Sequence, residues 1–348
     1  MGKYKLINNV LGWIVFAIAS TVYLMTMEPT ASFWDCGEFI SSAYKLEVGH
    51  PPGAPFFMLT ANLFTQLASD PSTVAKMVNT MSALFSGLTI LFLFWSITHL
   101  ARKIIVKDGE EASLGQMITV MGSGLVGALA YTFSDTFWFS AVEGEVYAYS
   151  SLFTAVVFWL ILKWEAVADK PHADRWIVLI AYLMGLSIGV HLLNLLCIPA
   201  IVLVYYYKKF PNPTMKGTLV ALLASFAIVA LMMYGVVQGL VEVCGYFELL
   251  FVNVLGMPYN SGVFAYVIIV AGVLIWSIWE TMRDEIHPTR MKIAFILSVV
   301  LIGIPFIGSG YVLAVILTAA LSLYLFKSKK VDIKTLNTIL VCLMVVVV

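Results

Sequence analysis

Long apolar runs dominate the pattern of this chain and recur from its first residues to its last. A membrane-spanning helix needs about 20 mostly apolar residues, and the runs predict ten complete spans. Their predicted bounds are 8–27, 75–101, 116–133, 147–164, 176–190, 191–207, 217–240, 263–282, 292–306 and 309–326. The pattern therefore predicts an all-α polytopic membrane protein.

The two ends of the pattern need separate interpretation. The first run follows two lysines, as in a signal peptide, but no small-residue cleavage site follows Met27, which favours a span. An eleventh run begins near Thr335 and stops at Val348, which is too short to span. We expect that the chain is truncated, that any C-terminal domain is absent, and that 1–348 forms a single transmembrane domain.

The longest polar interruption, 28–74, separates the first two spans. The stretch Phe39–Leu46 is amphipathic, which is typical of a helix lying on a membrane surface. Three prolines and two glycines in Gly49–Pro55 prevent a helix throughout that stretch. An apolar run then continues to Leu67. We therefore expect a loop helix, a turn and a second short helix.

Composition agrees with the membrane interpretation. Hydrophobic residues make up 61% of the 348 positions and charged residues 11%, whereas a soluble domain carries about 25% charged residues. These values exclude an ordinary soluble enzyme, a disordered chain, a nucleic-acid-binding protein and a small disulfide-stapled protein.

The distribution of charge predicts the orientation of the chain. The formal net charge is zero, but on the predicted topology all lysines and arginines except Lys45 and Lys76 fall on one side. Basic residues near span ends are retained in the cytoplasm. The N-terminus is therefore expected in the cytoplasm, with 28–74, 134–146 and 241–262 on the far side, where carboxylates outnumber lysines.

The first outer loop contains the leading candidates for chemistry. Asp35 and Glu38 are three residues apart, so on a helical turn they face the same way. Asp35 also lies between Trp34 and Cys36, beside an apolar segment at the expected membrane interface. A carboxylate in that position is either a general base or part of a buried ion network.

Other polar groups are expected on the same side. Glu143 and Glu145 precede a span, where they either complement the helix dipole or face a polar cleft. His191 and Asn194 mark the turn between the fifth and sixth spans, and this histidine is either functional or a hydrogen-bonded structural residue.

Few groups on the outer side could bind an anion or a metal. His50 and Lys45 are the other cationic candidates for a phosphate. The outer carboxylates could bind Mg²⁺ or Mn²⁺, but no ligand spacing demands a metal, so metal dependence stays open.

Three segments carry a family resemblance: Ser32–Ile40, Tyr44–Pro55 and Val142–Tyr147. They resemble a membrane-protein family of Bacteroidetes-type bacteria that was long of unknown function. Its eukaryotic relative is an endoplasmic-reticulum protein O-mannosyltransferase, and both resemble the GT-C glycosyltransferase superfamily. The resemblance extends from the first span to about the sixth, and little is recognisable beyond about residue 210.

The resemblance implies a fold and a mechanism. A GT-C-like helical bundle would transfer a sugar, with inversion, from a polyprenyl-phosphate carrier to an acceptor hydroxyl on the non-cytoplasmic face. A hexose such as mannose and a protein Ser/Thr acceptor are the expected substrates. Asp35 is the expected base with Glu38 beside it, although the Asp-Cys-Gly-Glu spacing leaves open which of them acts.

The resemblance also implies the surroundings of this reaction. The expected donor-phosphate and substrate-binding residues are Lys45, His50, Glu143, Glu145, Tyr147, His191 and Asn194. The expected location is a bacterial inner membrane, with the site on the periplasmic side. The expected partners are the bilayer, the lipid-linked sugar and an acceptor protein.

Two functions from other classes remain open. A transporter of a lipid-linked or small anionic substrate would place its polar site near the bilayer midplane, whereas the polar residues here gather in outer loops. A noncatalytic scaffold predicts that the outer acids can be neutralised without loss of function.

Overall fold

The computed structural model describes residues 2–107, 109–173, 175–283, 285, 287–306, 311–327 and 332–347. Every regular element within these ranges is helical, which confirms the all-α prediction. The chain divides into two compact units, Met1–Trp176 with Leu183–Val204, and Ile177–Tyr182 with Tyr205–Val348. The expectation of a single domain stays a prediction.

Helices of very different length follow one another along the chain. The α-helices within the described ranges are α1 Gly2–Thr26, α2 Cys36–Lys45, α3 Pro55–Thr65, α4 Val74–Ile105, α5 Leu114–Thr132, α6 Asp135–Ala141, α7 Val146–Val167, α8 Arg175–Ile188, α9 Ile198–Lys209, α10 Met215–Ala230, α11 Gln238–Leu249, α12 Ser261–Met282, α13 Pro288–Leu301, α14 Tyr311–Lys327 and α15 Ile333–Val347. Short 3₁₀ segments precede α4 and α9.

The first unit is built around α4, which packs against α1, α5 and α7. Helices α2 and α3 pack on each other and on α4, so the first loop has the two short helices and the turn expected from its sequence. Phe39, Phe57, Val78 and Val146 are buried together beneath this loop. This packing of their apolar faces fixes the position of the two loop helices and therefore of the polar side chains on their other faces.

The predicted division near 189–194 is confirmed. Helix α8 ends at Ile188, and a 3₁₀ turn begins at Leu192 and leads into α9. The backbone N–H of His191 donates to the carbonyl of Ser187 at 2.8 Å, which closes α8. This turn lies against the first loop, because Phe56 N–H donates to the Gly189 carbonyl at 2.7 Å.

One predicted loop of the second unit is wrong. The segment 241–262 is predicted to connect the spans 217–240 and 263–282 on the outer side, but helix continues from Met215 to Val254 through two π-helical turns. Glu242 accepts a hydrogen bond from the Tyr246 hydroxyl at 2.5 Å. Glu248 accepts from two backbone N–H groups at the start of α12. Both carboxylates are satisfied, so neither ends the helix.

The count of ten spans is not confirmed. Among the described residues, seven helices are long and apolar enough to cross a membrane, which supports an integral membrane protein. The helix expected at 176–190 has 14 residues, as does the one expected at 292–306, and both are shorter than a usual span. Positions 309 and 310 of the last complete predicted span, and Val348 of the eleventh, lie outside the described residues.

Candidate functional site

Asp35 stands at the N-cap position of α2 but does not use its side chain as a cap. Its backbone carbonyl accepts from Phe39 N–H at 2.9 Å and so begins the helix, while the side chain makes no capping hydrogen bond. Trp34 turns the chain into α2 with φ of 60°, an uncommon conformation for a bulky residue. The Asp35 carboxylate is about half exposed (52%) and remains available to a ligand.

Glu38, one turn later on α2, holds His50. The carboxylate accepts from the His50 backbone N–H at 2.5 Å and from its Nδ1 at 3.0 Å. Because a carboxylate can only accept, Nδ1 carries the proton. The Nε2 atom of His50 then lies 4.0 Å from Asp35 Oδ2. The two hydrogen bonds lower the pKa of Glu38, and the bond to Glu38 raises the pKa of His50.

The second outer loop is fastened to the first. Glu28 N–H donates to the Val142 carbonyl at 3.0 Å, and the Asn79 amide of α4 donates to the carbonyls of Glu28 and Thr30. These contacts hold the two acidic loops together, which agrees with the polar-cleft interpretation of Glu143 and Glu145.

Gly144 allows this close approach. A Cβ at this position would lie 2.9 Å from Asn79 Oδ1 and 3.0 Å from Ile40 Cγ1. Any side chain would therefore force the second loop away from α4 and α2. The glycine between Glu143 and Glu145 brings both carboxylates beneath the first loop.

Glu143 is buried against α2. The Cys36 thiol donates to its Oε2 at 3.7 Å, and the Ser32 hydroxyl is a second partner. Burial raises the pKa of Glu143. Burial, followed by the charge of Glu143, raises the pKa of the Cys36 thiol to about 12. This thiol therefore acts as a neutral hydrogen-bond donor.

Glu145 is 6% exposed and stands at the N-cap of α7 without making a side-chain cap. Its position agrees with the helix-dipole interpretation, but none of the described residues donates a hydrogen bond to its carboxylate. Burial, with the charges of Glu143 and Asp35, raises the pKa of Glu145 to about 7. Glu145 is thus a buried carboxyl group that titrates near neutrality.

The candidate side chains line two neighbouring depressions of the surface. Asp35, Glu145 and Tyr147 line both. The larger has a volume of about 290 Å³ and is also lined by Phe33, Trp34, Phe139, Ser140 and Glu143. The smaller has about 100 Å³ and is also lined by Phe39, His50, Pro52, Gly53, Ala54, Val146, Val190 and His191. Neither is lined by a lysine or arginine from the described part of the chain.

His191 enters the smaller depression as a neutral donor. Its Nδ1 accepts from Leu193 N–H at 3.1 Å, so the ring proton resides on Nε2. Burial lowers the pKa of His191, and its ring lies 5.4 Å from that of Tyr147. The structure therefore favours a hydrogen-bonding role over a cationic one.

Two expected binding residues lie outside the depressions. Lys45 is the last residue of α2, about 15 Å along the helix from Asp35 at 1.5 Å per residue. Asn194 is fully buried: its amide donates to Ser187 Oγ at 2.8 Å and its Oδ1 accepts from Thr154 Oγ1 at 3.2 Å. Asn194 is thus hydrogen-bonded within the turn, and its expected binding role stays a prediction.

The structure adds residues that the sequence reasoning did not select. Phe33, Phe139 and Ser140 line the larger depression, and Cys36 is hydrogen-bonded to Glu143. Only the place of Phe33 and Cys36 next to the Trp34–Asp35 pair could have indicated them. Phe139 and Ser140 belong to α6, whose packing against α4 depends on contacts distant in sequence.

Known proteins are similar to the part of the chain that contains the candidate site. Residues 35–214 match the family model described as the protein O-mannosyl-transferase TMEM260 N-terminal domain. The match begins at Asp35, includes every site residue that the sequence predicts, and ends close to where the resemblance was expected to fade. No solved structure matches the chain significantly.

Two curated relatives are similar over about half of this chain. Protein O-mannosyl-transferase TMEM260 of Mus musculus is 28% identical over 174 residues, which cover 50% of this chain and 22% of the relative. Protein O-mannosyl-transferase tmem260 of Dictyostelium discoideum is 25% identical over 187 residues, which cover 52% and 21%. The matched part is thus about a fifth of the length of each relative. Since the family model covers more than half of its residues, the chain belongs to the protein O-mannosyl-transferase TMEM260 N-terminal domain family.

Proposed function

We propose that this chain carries the catalytic site of a GT-C-type membrane glycosyltransferase. It would move a hexose, mannose by the names of its relatives, from a polyprenyl-phosphate carrier to a Ser/Thr hydroxyl of a protein. The observation that carries this proposal is the position of Asp35. Its half-exposed carboxylate makes no capping hydrogen bond, lies 4.0 Å from His50 Nε2 and lines both depressions.

Asp35 suits the role of base better than Glu38. Glu38 accepts two hydrogen bonds from His50, whereas the Asp35 side chain makes no capping bond and lines both depressions. A base must reach the proton it removes within hydrogen-bond distance. The geometry therefore favours Asp35 as the base and Glu38 as the residue that positions His50.

The proposed reaction is a single displacement with inversion. Asp35 accepts the proton of the acceptor hydroxyl while that oxygen forms a bond to the anomeric carbon. The bond between the anomeric carbon and the phosphate oxygen breaks, and its electron pair remains on the departing lipid phosphate. Proton removal and bond formation thus occur on one face of the sugar and departure on the other.

Hydrogen-bond donors around the leaving phosphate come from the turn after α8 and from α7. Nε2–H of His191 and the hydroxyl of Tyr147 border the smaller depression, and donors directed at developing charge stabilise a transition state. Lys45 is not part of this proposal, because it lies at the far end of α2.

The charge pattern supports a non-cytoplasmic site. Asp35, Glu38 and His50 belong to the first loop, and Glu143 and Glu145 to the second, both on the side poor in lysine and arginine. A periplasmic site in a bacterial inner membrane follows as part of the proposal. The acids lie outside the candidate spans, which favours the enzyme over a transporter with a midplane site.

The test is sugar transfer by the purified chain. Polyprenyl-phosphate mannose and Ser/Thr peptides are the substrates, and labelled glycopeptide is measured. Asp35→Asn keeps the size of the residue but cannot accept the proton, so transfer should fall by about 100-fold or more.

Glu47→Gln, an exposed acid of the same loop, is the matched control and should retain wild-type transfer. Full activity of Asp35→Asn would remove Asp35 as the base. If the label appears on lipid or polysaccharide instead of peptide, the acceptor is not a protein hydroxyl.

A further inference from the structure

Helices α1 and α7 flank one side of α4 and do not pack closely on each other, whereas both pack on α4. Between them lies Trp95 of α4, whose ring is 6.4 Å from that of Trp13 on α1 and 5.7 Å from that of Trp159 on α7. We call these three rings the aromatic cluster. Trp13 is 52% exposed, so the described part of the chain leaves this apolar surface partly uncovered.

Basic side chains gather at one end of the same three helices. Lys5 lies on α1, Arg102 and Lys103 lie on α4, and Lys163 lies on α7. We call these four residues the basic cluster. The charges of Lys5 and Lys163 repel each other across the two helices, and His99 is within electrostatic range of the other three. The basic cluster is on the side that the charge pattern predicts to be cytoplasmic.

Little of this positive charge is neutralised by the protein. Lys103 pairs with Glu165 of α7, but none of the described carboxylates pairs with Lys5, Arg102 or Lys163. Like charges that are held close together repel each other unless a counter-ion is present. The basic cluster is therefore suited to attract an anion.

Aromatic rings, not carboxylates, hold two of these cations. The Arg102 guanidinium lies 4.6 Å from the ring centroid of Tyr4, and Lys163 Nζ lies 4.8 Å from that of Trp159. A cation–π contact fixes the position of a charge without cancelling it. Because Trp159 also belongs to the aromatic cluster, the two clusters form one continuous surface.

The spacing of the two clusters indicates an amphipathic ligand. Trp95 precedes Arg102 and Trp13 follows Lys5 in the sequence, and each separation corresponds to about 10–12 Å along a helix. A ligand that contacts both clusters has an anionic group at one end and an apolar chain of at least about 10 Å. A small soluble anion would contact the basic cluster alone.

We propose that the basic cluster and the aromatic cluster together bind one anionic phospholipid of the cytoplasmic leaflet. Its phosphate lies at the basic cluster, where lysine and arginine side chains form charge-assisted hydrogen bonds with it. One acyl chain lies along the aromatic cluster and covers the side of α4 between α1 and α7. This lipid site is at the opposite ends of these helices from the candidate site and is independent of the proposed transfer reaction.

Native mass spectrometry of the purified, detergent-solubilised chain measures this binding directly. The chain is titrated with anionic phosphatidylglycerol or with zwitterionic phosphatidylcholine that has the same acyl chains. The first phosphatidylglycerol should bind at least about tenfold more tightly, because each basic side chain near an anionic lipid contributes about fivefold in affinity. A higher ammonium acetate concentration should reduce this preference. Both comparisons use the wild type, so they test the site even if a variant fails to fold.

Substitutions separate the contribution of the head group from that of the acyl chain. Lys163→Gln should weaken phosphatidylglycerol binding about fivefold, and the double variant Arg102→Gln/Lys163→Gln about 25-fold, with little change for phosphatidylcholine. Trp13→Ala should weaken the binding of both lipids by a similar factor, because it removes an apolar contact. Lys216→Gln, which changes an exposed lysine at the start of α10, is the matched control and should bind both lipids as the wild type does.

Equal affinity of the wild type for the two lipids, or equal losses in Lys163→Gln and Lys216→Gln, would overturn the lipid site. Displacement of phosphatidylglycerol by an equal concentration of inorganic phosphate would also overturn it, because the site would then bind a free anion. The assay contains no sugar donor, so its outcome does not depend on the proposed function.

Discussion

At the scale of single residues, burial gives neighbouring carboxylates different properties. Asp35 is half exposed beside His50, whereas Glu143 and Glu145 are 5% and 6% exposed and have raised pKa values. The sequence shows all three simply as acids of outer loops. The packing of α2 against the second loop determines which of these carboxylates are buried.

Glu143→Gln should stabilise the protein in a pH-dependent way. Burial raises the pKa of Glu143, so the folded state binds this proton more tightly than the unfolded state does. Protonated Glu143 therefore contributes to the stability of the folded state at low pH, and this contribution is lost as the pH rises through the raised pKa. Glutamine has no charge to bury and can still accept from Cys36.

Thermal unfolding followed by tryptophan fluorescence at pH 5 and pH 8 tests this prediction. The Tm of Glu143→Gln relative to wild type should be higher at pH 8 than at pH 5. A Tm difference that is the same at both pH values would contradict the assignment. Glu47→Gln, which changes an exposed acid, serves as the control.

At the scale of elements, the sequence predicts helices better than their junctions. The two helices of the first loop and the break near His191 were predicted, because proline, glycine and apolar periodicity are local signals. The continuation of helix through Glu242 and Glu248 was missed, because their partners are a tyrosine one turn later and the N-terminus of α12.

Some of the site residues could be predicted from the sequence, and the contacts of others could not. Asp35, Glu38, Glu145 and His191 come together as the motif and the turn implied. Asn194 was predicted as a binding residue from its place in the turn between the fifth and sixth predicted spans, but it is buried and hydrogen-bonded to Ser187 and Thr154. Such satisfaction depends on packing between elements and is not visible in the sequence.

Gly144→Ala should destabilise the junction between α6 and α7. The added Cβ would press on Asn79 and Ile40 at 2.9–3.0 Å, and overpacking of this kind costs about 1–3 kcal/mol. We expect Tm to fall by about 2–8 °C. Sugar transfer should also fall, because Glu143 and Glu145 move with the loop.

Gly37→Ala is the matched control. A Cβ on Gly37 meets no atom within 4 Å, and alanine favours a helix such as α2. Its Tm should equal or exceed that of wild type. If both alanine variants unfold at the same temperature, close packing at Gly144 is not what holds the second loop.

At the scale of the whole molecule, sequence and structure agree on a chain rich in spans. Within the described ranges, seven helices are long and apolar enough to span, fewer than the expected ten, because several apolar segments form helices shorter than a bilayer is thick. The sidedness of the loops, which rests on the positions of the lysines and arginines, stays a prediction.

Cysteine labelling in intact cells tests this sidedness. The four native cysteines are first replaced by alanine, and then Glu47→Cys and Glu110→Cys are made separately at exposed positions. A membrane-impermeant maleimide should label the first variant without permeabilisation and the second only after it. The reverse pattern would place the candidate site in the cytoplasm and exclude the periplasmic reaction.

The continuous helix Met215–Val254 has a consequence for how the protein meets its lipid. Its 40 residues extend about 60 Å, twice the hydrocarbon thickness of about 30 Å, and no ordinary tilt of up to about 40° accommodates that length. The π-helical turns Leu231–Val237 and Leu250–Val254 are where such a helix can change direction. Hydrophobic mismatch would then make this part of the chain sensitive to acyl-chain length, so lipid nanodiscs of matched thickness should preserve it better than short-chain detergent micelles.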